Sequence, residues 1–312
     1  MSGSWERALF AHAEELRDRR APFVLATVVR ARRPTSARPG DRALVLADGT
    51  VEGFVGGVCT ESTVRLQGLR VLASGRPTML RITPDAARVE QAEGEGLITV
   101  ANPCLSGGAV DLFLEPQLPP PLVAVFGDSP IARALREVGE TLGYDVRPCS
   151  ADPEFPADTE AVVVASHGRD EQRVLTAALR AGVGYVGLVA SPRRGRAVLA
   201  DLGEPGIERV HTPAGLDIGA RTPHEIALSV YAEVLAVRSE RAAPPKAEGA
   251  AGEAGEVTEA IDPVCGMTVA VSPTTPQSGY EGRRYYFCCD GCAGAFDADP
   301  RRYIHGDVSH AP

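Results

Sequence analysis

The part of the chain after residue 121 alternates short apolar strands with helical segments, and this alternation constrains the fold more than any other feature. The strand candidates are Leu122–Phe126, Tyr144–Arg147, Ala161–Ser166 and Tyr185–Val189. Helical segments over about 130–142, 170–181 and 192–202 lie between and after them. Such alternation predicts a parallel sheet with helices on both faces. A capping box, Thr222-Pro223-His224-Glu225, then begins a final helix that is predicted to run to about Val237.

The preceding residues, 1–117, follow a different pattern, in which several strands are joined by turns. Apolar residues at helical spacing predict an amphipathic helix over about 4–19. The strand candidates are Phe23–Val29, Arg42–Ala47, Val51–Val55, Thr78–Thr83, Gly96–Ala101 and Ala109–Leu114. Asp48-Gly49, between the second and third of these, is a two-residue hairpin signal. The pattern predicts an α+β domain, which the stiff proline-rich segment Glu115–Pro121 separates from the parallel sheet.

Composition narrows the classes of protein to consider. A chain of 312 residues predicts two or three domains. Its apolar fraction of 44% is typical of a soluble globular protein, and no apolar run approaches the roughly 20 residues of a membrane span. The net charge of −9 argues against a protein that binds nucleic acid or a membrane surface. Seven cysteines, several of them crowded near the C-terminus, indicate reduced thiols and a metal site, and hence the cytoplasm.

A glycine-rich turn precedes Cys59, with glycines at positions 53, 56 and 57. Glycine reaches positive φ and lets backbone amides approach a ligand closely. Thr60 is predicted to cap the helix that follows, which runs to Ser74 and ends at Gly75. Because a thiolate is favoured at a helix N-terminus, one interpretation is an exposed thiol beside an anion-binding loop. The other is a tight strand-to-helix turn in which the cysteine is small and buried.

Two further loops carry residues suited to a ligand. Arg32, Arg33 and Arg38 cluster in a basic loop, which suits either a phosphate group or a solvated surface. Cys104 lies in a second glycine-containing turn, N-P-C-L-S-G-G. Its gap of 44 residues from Cys59 fits no compact zinc site, although two turns that leave sheet strands can meet at one edge. Cys104 is therefore either a second site residue or a packed small residue.

The predicted parallel sheet has two candidate ligand positions. Its first turn reads G-D-S-P, and Ser129 stands where a dinucleotide fingerprint has glycine, so this turn predicts a helix cap and argues against bound NAD(P). His167 follows a strand at the carboxyl end, where such sheets bind ligands, and it is either a contact for an anionic cofactor or a solvated side chain. Asp217 and Arg221, before the last helix, either pair with each other or line one cleft.

The C-terminal part of the chain predicts a linker and a small metal-binding module. Residues 239–260 contain no aromatic and almost no large aliphatic side chain, so they are predicted to form a flexible linker. Cys265, Cys288 and Cys292 follow within about residues 261–305. Thiolates at this spacing select zinc or a soft ion such as copper(I). The alternative is a set of reduced structural thiols.

Five stretches of the chain together resemble one known family. These are P-T-S-A-R-P-G-D-R-A-L-V-L-A-D-G, G-F-V-G-G-V-C, N-P-C-L-S-G-G-A-V-D-L-F-L-E-P, Y-V-G-L-V-A-S-P-R-R and P-A-G-L-D-I-G-A-R-T-P-H-E-I-A. The first three resemble the N-terminal domain of the XdhC/CoxI family, and the last two its Rossmann-like domain. These proteins are maturation factors for molybdenum hydroxylases such as xanthine dehydrogenase and carbon monoxide dehydrogenase. The C-terminal module resembles a YHS domain, whose cysteines correspond to Cys265, Cys288 and Cys292.

The resemblance implies a division of the chain and a role for it. The divisions are an N-terminal domain (1–117), a Rossmann-like domain (118–238), a linker (239–260) and a YHS domain (261–305). The implied role is that of a carrier, not an enzyme, which binds molybdenum cofactor, protects it during sulfuration and hands it to an apo-hydroxylase. The implied cofactor contacts are Arg38, Gly56, Gly57, Cys59 and Cys104, to which the parallel sheet adds His167. A cysteine desulfurase and a second copy of the chain are further possible partners.

Two other function classes stay open at this level. A nucleotide-dependent oxidoreductase would use the parallel sheet, and a metal-sensing interaction protein would be built around the C-terminal module. The identity of the bound cofactor distinguishes the first from the carrier. Dependence of partner binding on metal distinguishes the second.

Overall fold

The computed structural model describes residues 4–84, 91–92, 96–101, 108–242 and 257–304. The chain divides into two compact units. One unit combines Met1–Pro119 with Gly252–Pro312, and the other, here called the α/β unit, is Pro120–Ala251. The C-terminal module therefore belongs to the same unit as the N-terminal domain.

The helices and strands are numbered in chain order. The helices are α1 (Ser4–Asp18), α2 (Val58–Ser74), α3 (Pro130–Thr141), α4 (Glu171–Arg180), α5 (Pro192–Leu202), α6 (Pro223–Ala242), α7 (Asp290–Ala298) and α8 (Pro300–Ile304), with a 3-10 turn at Ile207–Arg209. The strands are β1 (Phe23–Arg32), β2 (Arg42–Leu46), β3 (Val51–Gly53), β4 (Thr78–Thr83), β5 (Gln91–Ala92), β6 (Leu97–Ala101), β7 (Ala109–Gln117), β8 (Leu122–Phe126), β9 (Asp145–Pro148), β10 (Thr159–Val164), β11 (Tyr185–Leu188), β12 (Val210–His211), β13 (Glu259–Ile261), β14 (Thr268–Ala270), β15 (Gln277–Tyr280) and β16 (Arg283–Tyr286). None of the described helices combines the length and apolarity needed to cross a membrane.

The N-terminal domain is a seven-stranded sheet with a helix on each face. The strand order is β3-β2-β1-β7-β4-β6-β5, and all neighbours are antiparallel except β4 and β6. Successive side chains of a strand point to opposite faces. Phe23 of β1 accordingly packs with Leu9 and Leu16 of α1, whereas Val24 packs with Val64 of α2. The predicted α+β domain is confirmed.

The α/β unit contains a five-stranded sheet with the order β9-β8-β10-β11-β12, and every neighbouring pair is parallel. Helices α3 and α6 pack on one face through Leu135 and Tyr231, and α4 and α5 pack on the other through Leu175 and Leu202. In chain order the strands lie as 2-1-3-4-5, so the chain changes direction between β8 and β10. Ligands bind at the carboxyl edge of such switch points.

The C-terminal module consists of two small antiparallel pairs, β13 with β14 and β15 with β16, followed by α7 and α8. Phe287 and Phe296 are fully buried and lie 5.1 Å apart between ring centroids. Tyr285 packs on Phe296 at 4.9 Å, whereas Tyr286 packs instead among the cysteines. The module therefore has an aromatic core on one side and a thiol-rich core on the other.

Two predictions about the C-terminal part of the chain need correction, and several short strands were not predicted. The predicted linker 239–260 is too long at both ends, because α6 continues to Ala242 and β13 begins at Glu259. The C-terminal module is not a separate tethered body, because its β14 packs against α2. Strand β12 and the four strands of the module were not predicted, since each has only two to four residues and no clear alternation.

Candidate functional site

One edge of the seven-stranded sheet gathers the three loops that the sequence singled out. The register pairs Arg32 of β1 with Ala109 of β7, and Ala43 of β2 with Gly53 of β3. The loop after β1, the turn after β3 and the start of β7 therefore leave the sheet at the same edge, here called the loop edge. Thr83 pairs with Ala101 at this edge as well, so both flanks of residues 102–107 lie there. Cys104 itself lies outside the described residues.

Helix α2 begins at the loop edge, two residues earlier than predicted. Gly57 is its N-cap, in an extended conformation (φ −71°, ψ 173°) with no side-chain cap, so Thr60 lies within the first turn and is not the cap. Gly56 has φ +136°, which favours glycine. A Cβ at Gly57 would meet no atom within 4 Å other than those of its chain neighbours. The space beside the N-cap is thus open, no side chain caps the first turn, and the helix ends at Gly75 as predicted.

Arg38 lies in the loop that joins β1 to β2, and its side chain is exposed. Asp41 fixes its backbone, since the amide of Arg38 donates to Asp41 Oδ2 at 2.7 Å. A Cβ at Gly108 would lie 1.9 Å from the carbonyl oxygen of Pro34, so the start of β7 packs tightly against this loop. Arg38, Gly56, Gly57 and Cys59 therefore belong to one edge of one domain, whereas His167 belongs to the α/β unit.

Cys59 is the second residue of α2, and its half-buried side chain packs into the thiol-rich core of the C-terminal module. That core centres on Met267, Val269 and Cys288. Cys59 thereby lies next to the cluster that contains Cys288. Local sequence patterns do not predict this contact, because Cys59 and Cys288 lie on separate domains that are far apart along the chain.

Cys265, Cys288 and Cys292 form the predicted cluster, together with Asp262. Their ligand atoms all lie within 4.8 Å of one another, and here they are called the cysteine cluster. The Sγ atom of Cys288 is 3.6 Å from that of Cys265 and 3.6 Å from that of Cys292. Two sulfurs bound to one tetrahedral zinc at about 2.3 Å each would lie roughly 3.8 Å apart, so the sulfur spacing fits a metal ion.

Asp262 holds the turn that presents Cys265. It is fully buried, and its Oδ1 atom accepts from the amide of Val264 at 2.8 Å. Its Oδ2 atom accepts from the amide of Cys288 at 2.8 Å. Because both oxygens already bind backbone donors, the carboxylate joins the two cysteine-bearing segments, and the sulfurs are the better candidates for metal ligands.

The pKa shifts of the three thiols also indicate a cluster that suits a bound cation. The hydrogen bond with Cys288 lowers the pKa of Cys265, whereas hydrogen bonds with Cys265 and then Cys59 raise the pKa of Cys288. Burial, and then the charge of Cys265, raise the pKa of Cys292. One thiolate thus opposes ionisation of the others, and a bound cation reverses this because it stabilises several thiolates at once.

Cys289 stands apart from this group. It is the N-cap of α7, and its sulfur accepts from the amide of Cys292 at 3.4 Å. Its role in the described structure is therefore to cap the helix that carries Cys292.

The contact between the module and α2 extends from Cys59 to Arg70. Every residue from Ser62 to Gly68 is buried, including the polar side chain of Gln67. At the far end Arg70 pairs with Glu259 of β13, with 2.7 Å from Nη2 to Oε1. A Cβ at Gly49 would lie 2.7 Å from Ser272 Oγ, so the β2–β3 turn touches the module as well. Helix α2 is thus enclosed between the sheet and the module.

His167 lies at the carboxyl edge of the parallel sheet, in a turn with unusual backbone. His167 and Asp170 both have positive φ, at 56° and 49°. The buried Glu171 holds this turn, since it accepts from the amide of Gly168 at 2.8 Å and pairs with Arg194. Positive φ in residues other than glycine is often found at functional sites.

A cavity of about 710 Å³ opens beside this turn. It is lined by residues that include His167, Arg194, Asp217 and Ile218. The loop that carries Asp217 is anchored through Gly215, whose amide donates to Glu233 Oε2 at 2.7 Å. Tyr185 donates to the same oxygen at 2.6 Å, and burial raises the pKa of this phenol. Asp217 lines this cavity, whereas Arg221 is not among its lining residues.

The turn after β8 is a helix cap, as its sequence predicts. Ser129 Oγ accepts from the amide of Ala132 at 3.1 Å, and Pro130 is the first residue of α3. A Cβ at Gly127 would lie 2.4 Å from the carbonyl oxygen of Ala165. The serine hydroxyl is thus already bound to the helix at the position where a dinucleotide fingerprint has glycine.

Comparison with known families covers all three parts of the chain. A model of the XdhC and CoxI family matches residues 16–83, and a model of the XdhC Rossmann domain matches residues 123–234. A YHS domain model matches residues 260–307. The chain belongs to the XdhC and CoxI family, with an added YHS domain. This family membership, inferred from the five stretches above, is confirmed.

Three relatives illustrate the family and its added module. The uncharacterized protein YqeB of Escherichia coli (strain K12) is 30% identical over 262 residues, which are 74% of this chain and 46% of YqeB. The molybdenum cofactor insertion chaperone PaoD of the same organism is 27% identical over 266 residues, 69% of this chain and 83% of PaoD. A copper-transporting P-type ATPase of Rhizobium leguminosarum bv. viciae is 44% identical over 43 residues, 14% of this chain and 5% of the ATPase. This XdhC-family chain thus spans about half the length of YqeB and most of PaoD.

Proposed function

We propose that this XdhC-family protein carries molybdenum cofactor, assists its sulfuration, and inserts it into an apo-hydroxylase of the xanthine dehydrogenase or carbon monoxide dehydrogenase type. The observation that carries the proposal is the N-terminus of α2. No side chain caps this helix, and the space beside its N-cap Gly57 is open. Such a helix start suits the phosphate of the pterin. The name of PaoD, a molybdenum cofactor insertion chaperone, supports the same cargo.

Cys59 is the proposed thiol contact, and Arg38 and Gly56 complete the proposed binding edge. A thiolate is a good ligand for molybdenum or a carrier for sulfur, and the first turn of a helix favours it. Arg38 is exposed at the same edge of the sheet, where a guanidinium can bind phosphate oxygens with two parallel hydrogen bonds. Cys104 is proposed as a second contact, because both flanks of its turn lie at this edge.

The test is to purify the full chain from a host that makes the cofactor and oxidise the released material to its fluorescent pterin derivative. We expect wild-type protein and Cys149→Ser to release the pterin in equal amounts. Cys149 is a suitable control because it lies in the α/β unit, where burial raises its pKa to about 11. Cys59→Ser and Arg38→Ala should each retain less, by about tenfold. Full retention by both variants would contradict the proposed edge.

A second candidate is a nucleotide-dependent oxidoreductase, and the cavity beside His167 favours it. The cavity lies at the carboxyl edge of the parallel sheet, where nucleotides bind in this class of fold. The capped turn at Ser129 argues against tight binding of NAD(P). The same release experiment separates the two candidates, because a nicotinamide or flavin released in place of a pterin would favour the oxidoreductase.

We further propose that the C-terminal module binds one zinc or copper(I) ion through Cys265, Cys288 and Cys292. The spacing of the three sulfurs supports this, and thiolates select these ions. The similarity of 43 residues of this chain to a copper-transporting P-type ATPase supports a soft ion. A cysteine desulfurase, as the sulfur donor, and a homodimer are proposed partners, and the cytoplasm, where thiols stay reduced, is the proposed compartment.

A further inference from the structure

The position of Cys59 joins two parts of the chain that were expected to act separately. It lies in the first turn of α2, at the proposed cofactor edge, yet its side chain packs against the buried core of Met267, Val269 and Cys288 in the C-terminal module. A single side chain therefore faces both the proposed cargo and the proposed metal.

We propose that Cys59 is the fourth ligand of the metal ion in the cysteine cluster, so that one site is built from the N-terminal domain and the C-terminal module. Zinc in protein sites takes four ligands in a tetrahedral arrangement. The cluster supplies the sulfurs of Cys265, Cys288 and Cys292, which leaves one position to fill.

Cys59 fits this position better than the two other candidates. Both oxygens of Asp262 bind backbone amides that hold the cysteine-bearing turns together. The sulfur of Cys289 caps α7. Cys59 packs against the core that contains Cys288, and it stands outside the group of ligand atoms that lie within 4.8 Å of one another. Rotation about one Cα–Cβ bond moves a thiol sulfur by up to about 3 Å, so a side-chain movement is enough to reach a shared ion.

The docking of the module keeps Cys59 in this place. Strand β14 lies along α2, and Arg70 pairs with Glu259 at the other end of the helix. The β2–β3 turn meets the module at Ser272. These contacts are independent of the thiols, so the domain and the module present their cysteines to each other before any metal binds.

The consequence is competition for one thiol. When the four thiols bind the ion as thiolates, their protons go to the solvent, and Cys59 is no longer available to a cofactor. The metal would thus decide whether the carrier can load its cargo. This consequence, unlike the site itself, rests on the proposed function.

The site is tested on the full chain loaded with Zn²⁺, and separately with Cu⁺ under anaerobic conditions, by X-ray absorption spectroscopy. We expect four sulfur ligands around zinc in the wild type and in Cys149→Ser, and three sulfurs with one lighter ligand in Cys59→Ser. Competition with a chelator should show zinc binding at least about tenfold weaker in Cys59→Ser. If Cys59→Ser binds zinc with the same number of sulfur ligands and the same affinity as the wild type, the proposal is overturned. It is also overturned if Cys289→Ser, and not Cys59→Ser, loses one sulfur ligand.

Alkylation of Cys59, followed by mass spectrometry of the peptide, is an independent readout. Zinc should slow the reaction of Cys59 with iodoacetamide by about tenfold or more, while the reaction of Cys149 stays unchanged. Equal rates at Cys59 with and without zinc in the wild type would overturn the shared site.

The competition is tested by measuring pterin release from zinc-loaded and chelator-treated protein. We expect the zinc-loaded protein to retain less pterin. Equal retention together with four sulfurs around zinc would overturn the competition and the role of Cys59 in cofactor binding, and it would leave the metal site standing. If zinc in the wild type has three sulfur ligands and pterin retention depends on Cys59, the shared metal site is overturned and the role of Cys59 in cofactor binding stands.

Discussion

Helices α2 and α3 both begin after a glycine turn at the edge of a sheet, but their first turns differ. At α3, Ser129 accepts a hydrogen bond from the amide of Ala132, and proline occupies the next position. At α2, Gly57 caps the helix with no side chain. At α3 a serine side chain thus accepts a hydrogen bond from a first-turn amide. At α2 no side chain does so, and there is room for a ligand to accept such a bond.

The two helices also differ in how much of their surface is buried. Helix α3 exposes Arg133, Glu137 and Glu140 and packs only its apolar side on the sheet and α6. Helix α2 is buried from Ser62 to Gly68, because the sheet covers one side and the C-terminal module another. Packing contacts along its length therefore stabilise α2, which has no side-chain cap.

The largest difference in stability should come from the two glycines of these turns. In Gly127→Ala the new Cβ would lie 2.4 Å from a backbone oxygen at φ +118°, and we expect the free energy of unfolding of the α/β unit to fall by at least about 3 kcal/mol. In Gly56→Ala the atoms nearest to the new Cβ belong to the side chain of Thr60, at 3.2 Å, so the expected cost is about 2 kcal/mol. Hydrogen exchange of peptides from α3 and α2 measures both. A larger loss for Gly56→Ala would mean that the α2 turn is the more constrained of the two.

The next effect is the loss of a side-chain cap. Ser129→Ala should lower the stability of α3 by about 1 kcal/mol, because the amide of Ala132 loses its acceptor. Pterin retention and metal content should stay at the wild-type level. A variant that loses pterin while α3 keeps its protection against exchange would show that this turn binds a ligand after all.

The sequence predicts more of the α/β unit than of the candidate site, for physical reasons. Apolar periodicity and Gly, Ser and Pro signals are local, so the strands and the caps of α3 and α6 could be predicted from neighbouring residues. The cysteine spacing likewise predicts the cluster of Cys265, Cys288 and Cys292. The packing of Val269 near Cys59 is a contact between distant segments, and no periodicity encodes it. The weak amphipathic pattern of the α2 sequence was one indirect signal, since a helix enclosed on both sides has no polar face.

A smaller effect is expected at the far end of α2, where the module is attached by an ion pair. Arg70 and Glu259 are each about one-third exposed, so their pairing contributes only about 0.5 kcal/mol. Arg70→Glu should slightly speed both hydrogen exchange in α2 and alkylation of Cys59. The exchanged pair, Arg70→Glu with Glu259→Arg, should restore both rates. If the double variant is no better than the single one, the pair does not hold the module on the helix. Arg180→Glu, at an exposed pair in the α/β unit, is the matched control.

The smallest expected change is a gain in stability, in Gly57→Ser at the start of α2. This variant should change helix stability and pterin retention in opposite directions. Gly57 has φ −71° and open space around it, so serine fits there without strain. Its hydroxyl should accept from a first-turn amide, as Ser129 does in α3, and raise the stability of α2 by a few tenths of a kcal/mol. Because the new side chain also occupies the position proposed for the phosphate, pterin retention should fall although the helix is more stable. Gly57→Ala adds a Cβ without a hydrogen-bond acceptor, so it should lose less pterin than Gly57→Ser. If Gly57→Ser is more stable and retains the pterin fully, the cofactor does not bind at this helix start.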